Sequence, residues 1–148
     1  MVIHPLLTHF PIALLLAGSL TLVWQTVTHK ENSAIVPFVD GALGLGYAGL
    51  LMTVATGLFD MQNSPKTNAK EGWLLFAVLH IIAGVSLVLV YGIMLFRRFV
   101  SLAADSKDEE IRKVDQLALV LNIVGIILLV AVGWLGGHIV YEYRVGIG

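Results

Sequence analysis

Four apolar runs, each about as long as the roughly 20 residues that cross a bilayer, constrain this chain more than any other feature. They fall at about 5–27, 38–59, 72–96 and 115–137. Hydrophobic residues make up 57% of the 148 residues and charged residues only 13%. A soluble domain of that balance lacks the polar surface to cover itself. The expectation is an all-α, integral membrane four-helix bundle forming one domain over 1–148. The connections THKENSAIVP, DMQNSPKTNAKE and RRFVSLAADSKDEEIRKVD are polar and too short for a second domain.

The first run does not resemble a cleavable signal. No Lys or Arg precedes it, its apolar stretch is long, and no small-x-small cleavage site follows. Loop charges set the expected orientation. Lys30, Arg97, Arg98, Lys107, Arg112 and Lys113 share one side, while Lys66, Lys70 and Arg144 share the other. The richer side belongs in the cytoplasm, which turns both termini outward, to the periplasm if the membrane is a bacterial inner membrane. A net charge of −1 without a basic run argues against nucleic acid as a partner. The absence of cysteine excludes disulfides, iron–sulfur clusters and thiolate metal sites of the chain's own.

Within this frame the histidines converge. His9 enters the first run and His80 lies well inside the third, roughly 12 Å below Gly72 at the helical rise. His4 precedes the first run, while His138 and Asp60 mark where the fourth and second emerge. All reach one outward-facing half of the membrane. Ionisable groups at that depth are costly and signal function by default. His29 is alone on the other side, in a polar loop, and reads as solvated. His4 and His9 are about 140° apart on an ideal helix, so both face inward only if His4 precedes the helix. Pro11 suits a first turn, which would leave His9 just before or within it.

Small residues accompany the two deepest histidines: Ala13 and Ala17 beyond His9, and Ala77, Ala83 and Gly84 beside His80. They leave room for a flat macrocycle, and they equally let membrane helices pack closely. Gly41, Gly44, Ala48 and Gly49 of the second run repeat the same choice, with close helix contact the plainer reading. Asp40 is expected as an N-cap. Asp60 either orients an imidazole by accepting its second N–H or is solvated. Trp24, Trp73 and Trp134, toward the ends of the runs, read as interfacial anchors.

The opening HPLLTHFPIAL, the ATGLFDMQNSP after the second run, His80, and the closing GWLGGHIVYEYRVGIG resemble one family. It is the bacterial and archaeal membrane family catalogued as domain of unknown function 2231, and the similarity spans nearly the whole chain. The resemblance implies a four-helix membrane protein whose recurrent residues match His4, His9, Asp60, Pro65, His80, Gly137, His138 and Tyr141. Relatives fused to Rieske-type domains point toward electron transfer. This chain has no Rieske portion, and the resemblance brings no settled activity.

The expected function is electron transfer by a cytochrome b-like protein, or by a small subunit of a respiratory or photosynthetic complex. Two imidazoles from different helices commonly hold a b-type haem. Here His9 and His80 are the expected axial ligands, since their depths agree best. His4 and His138 would hold a second haem or support the first, with Asp60 and Tyr141 behind them. The alternatives are a copper, zinc or iron ion on the same histidines, or a cofactor-free structural subunit. Expected partners are membrane lipid, quinone or a periplasmic redox protein, and other membrane subunits or further copies of the chain. No nucleophile–base pair suggests hydrolysis, so an accessory or electron-transfer role is favoured over a stand-alone enzyme.

Overall fold

The computed structural model describes residues 4–28, 34–63, 70–103 and 109–145. They form helices α1 (His4–Thr28), α2 (Val36–Asn63), α3 (Trp73–Ala103) and α4 (Glu109–Tyr141). All four are long and apolar enough to cross a membrane. His29, Pro65 and residues 104–108 of the charged connection lie outside the described residues.

The helices overrun the apolar stretches expected from the sequence. α2 continues through Asp60 to Asn63, α3 runs on through Arg97 and Arg98 to Ala103, and α4 starts at Glu109. Apolarity marks only the part of a helix that sits in hydrocarbon, about 30 Å thick. Backbone hydrogen bonding carries the helix further into polar sequence, so helices of 25 to 33 residues reach roughly 38 to 50 Å.

The bundle consists of two hairpins. α1 packs along α2, and α3 along α4, while narrower contacts through α1–α4 and α2–α3 join the pairs. Close approach within the first hairpin depends on Gly18 and Gly46. A Cβ on Gly18 would fall 2.9 Å from Leu43 Cγ, and one on Gly46 would fall 2.8 Å from Leu15 Cγ. The stripe of α2 that meets α1 is therefore Ala42, Gly46 and Gly49. Gly41 and Gly44, which the sequence pattern had favoured for this contact, have nothing within 4 Å of an added Cβ.

Leu15, Leu43, Leu87, Tyr91 and Met94 are buried in the core, while Phe10, Leu45, Phe96 and Ile127 point outward. An apolar exterior suits hydrocarbon as its solvent. Pro11 is buried in the interior of α1 rather than at its first turn. Pro5 occupies that turn, and Pro11 leaves one α1 carbonyl without its usual donor. Asp40 is likewise no N-cap, because α2 already starts at Val36. Its carboxylate accepts a 2.6 Å hydrogen bond from Arg98 Nε, joining α2 to α3 in a partly buried ion pair.

Candidate functional site

His4 begins α1, and three features of α2 hold it there. Its backbone N–H donates to the Asp60 carboxylate at 2.7 Å. Its ring Nδ1 lies 2.8 Å from the Thr53 carbonyl. A carbonyl can only accept, so Nδ1 carries the proton and Nε2 keeps its lone pair. The ring rests on Gly57, where a Cβ would come within 2.9 Å of Nδ1. Asp60 is only 7% exposed, and it serves a second purpose. A carboxylate at the first turn satisfies an orphan N–H and opposes the positive end of the helix.

His80 projects from α3 toward His4. The two rings meet edge to face, with centroids 6.0 Å apart and planes at 84°. His80 also rests on a glycine of its own hairpin, Gly136 of α4, where a Cβ would sit 3.1 Å from its Cε1. Each hairpin thus presents one imidazole to the other, backed by a glycine on its partner helix. His80 Nδ1 is buried and makes no hydrogen bond within 3.5 Å among the described residues, while the Val132 backbone lies within weaker polar reach of the ring.

His9 does not share this position. With His4 already in the helix, the 140° offset turns His9 out of the bundle. It is exposed, with its Nδ1 3.4 Å from the Thr8 hydroxyl. The depth match between His9 and His80 misled because the helices do not start at one level. α3 begins about two turns before His80, whereas α1 begins at His4, opposite it.

His138 occupies an aromatic nest at the same end. It stacks on Trp134, with centroids 5.0 Å apart and planes at 15°. It also meets Phe76 at 4.8 Å and Tyr143 at 5.4 Å. Its carbonyl accepts the N–H groups of Glu142 and Tyr143, closing α4. Tyr141 is 83% exposed and borders a shallow open groove of about 360 Å³ with Trp134, His138 and Glu142. Asp60 meets the backbone N–H of His4.

Sequence reading missed the glycine seats and a polar group deep in the bundle. Ser19 Oγ and Tyr91 Oη are 2.8 Å apart, and Asn122 Nδ2 donates to the Ser19 carbonyl at 3.1 Å. The signal was present as a lone amide in LALVLNIVGII.

The whole chain, residues 1–148, matches the family described as Predicted membrane protein (DUF2231). The chain belongs to that family. No curated protein and no solved structure matches this DUF2231 chain. Among its described residues, no three His, Cys, Asp or Glu side chains gather closely enough to hold a metal ion.

Proposed function

We propose that this DUF2231 protein holds a b-type haem between its two hairpins, with His4 and His80 as axial ligands, and serves in electron transfer. The observation that carries this reading is the meeting of two imidazoles, one from each hairpin, between α1 and α3. His4 and His80, whose ring centroids are 6.0 Å apart, are the residues that would hold the group. Haem needs only two protein donors, whereas a bare ion commonly takes three or four.

The surrounding residues suit that task. The Thr53 carbonyl fixes the His4 tautomer and leaves Nε2 as the ligand atom, the arrangement usual behind a metal-bound imidazole. Gly57 and Gly136 keep both rings back against their own hairpins, so a flat group would enter between the hairpins. When bound, haem supplies reversible one-electron chemistry. The protein supplies orientation, an apolar surround and partial exclusion of water. By the positive-inside rule this end would face outward, and the electron partner would be a periplasmic redox protein or quinol at the membrane surface.

The test is a dithionite-reduced minus oxidised spectrum of protein purified in detergent after expression with ample haem. Split α and β bands with a sharp Soret band support the reading. A featureless spectrum overturns it.

A further inference from the structure

The buried Ser19, Tyr91 and Asn122 lie far from the histidines, yet they join the same two hairpins. Ser19 belongs to α1, Tyr91 to α3 and Asn122 to α4. All three are fully buried, and Ser19 is hydrogen-bonded to both helices of the second hairpin. Asn122 Oδ1 has no hydrogen-bond partner among the described residues. A half-satisfied amide in the bundle centre is a poor source of stability, since an apolar residue of similar size avoids its desolvation cost. Buried polar groups of this kind are best attested as devices that fix register.

Register is what the histidine pair requires. Apolar side chains in lipid gain little from one alignment over another, because lipid is as apolar as they are. Sliding one hairpin by a single turn, about 5.4 Å, would carry His80 past His4. We infer that Ser19, Tyr91 and Asn122 form a register lock between the hairpins, and that they act as positioning residues for the His4–His80 pair. The lock lies roughly 22 Å from His4 along α1 and 16 Å from His80 along α3, so it acts through helix alignment and not by touching either ring. The inference uses the histidine pairing on which the proposed haem seat rests, but its test needs no haem.

The chain contains no cysteine, so His4→Cys with His80→Cys creates a clean pair for a short bis-maleimide. Cross-linking is read by mass spectrometry on folded protein in detergent. The parent pair is expected to cross-link efficiently. Tyr91→Phe should weaken the preference for this register about threefold, and adding Asn122→Leu nearer tenfold, taking the average strength of interhelical hydrogen bonds in membranes. Ser19→Thr keeps the hydroxyl and should preserve the cross-link. Undiminished cross-linking in the Tyr91→Phe, Asn122→Leu protein overturns the lock. If that protein does not fold, Tyr91→Phe alone, which removes a single hydroxyl, decides the matter by the same reading. Failure of the parent pair to cross-link overturns the pairing and the lock together. Efficient, lock-dependent cross-linking in a protein with no haem spectrum upholds the lock while the haem reading falls.

Discussion

The Asp60 carboxylate accepts the backbone N–H of His4 at 2.7 Å, so a side chain near the end of α2 determines where α1 begins. Hydrogen bonds to charged groups are stronger than neutral ones, and this acceptor also faces the positive end of a helix. Asp60→Ala is expected to cost about 1.5–3 kcal/mol of stability. Asp60→Asn, which keeps an acceptor but loses the charge, should cost less. Unfolding titrations of both variants in mixed micelles check this ordering, and a harmless Asp60→Ala would contradict the capping role.

The histidine variants should divide by direction, not by depth. His4→Ala and His80→Ala are each expected to abolish the haem spectrum while leaving membrane insertion intact, since alanine is tolerated in lipid. His9→Ala should leave the spectrum unchanged, because its ring is turned out of the bundle. The reverse pattern, with His9 essential and His4 dispensable, would restore the pairing suggested by depth alone and remove the one argued here.

The two glycine seats give a paired prediction. An added Cβ lies 2.9 Å from the His4 ring at Gly57 and 3.1 Å from the His80 ring at Gly136, whereas at Gly84 it meets nothing within 4 Å. Gly57→Ala and Gly136→Ala should therefore displace the imidazoles at a cost of about 1–3 kcal/mol, typical of overpacking. They should also lower haem retention. Gly84→Ala should be neutral or stabilising by up to about 1 kcal/mol, because alanine is the better helix former. Stability and haem content measured on the three proteins side by side test the contrast.

What the sequence made legible follows from where the driving forces are strong. Apolarity alone exposed four spanning helices, because no other structure suits runs of that length in lipid. It also drew His4, His80 and His138 to one end of the bundle. The choice between His4 and His9 was beyond it. That choice rests on where α1 starts, and α1 starts opposite a carboxylate 56 residues away in the chain. The glycine stripe was legible only in part for a similar reason. Gly49 does meet Pro11, but Gly41, Gly44 and Gly46 are equally small, and only the packing of Leu15 singles out Gly46. Asn122 was visible as a lone amide, but its bond to the Ser19 carbonyl depends on a contact between hairpins that no local pattern encodes.

Stability at the histidine end should depend weakly on pH. Lys70 Nζ donates to Glu142 Oε1 at 2.8 Å, and the Lys70 N–H donates to the Tyr143 carbonyl, tying the approach to α3 to the turn after α4. The hydrogen bond from Lys70, aided by its charge, holds the Glu142 carboxyl below its ordinary value of 4.5. A carboxyl with a lowered folded-state pKa binds fewer protons folded than unfolded, so its contribution is full above the unfolded value and disappears as pH falls through the folded one. The window therefore lies below about pH 4.5. Both side chains are more than half exposed, which keeps the effect small and makes it sensitive to salt. Unfolding midpoints of the wild type and of Glu142→Gln should separate slightly at pH 6 in dilute salt, then converge as the pH falls below 4 or the salt approaches 1 M. A separation that instead grew on acidification would show that the ion pair does not hold the carboxyl down.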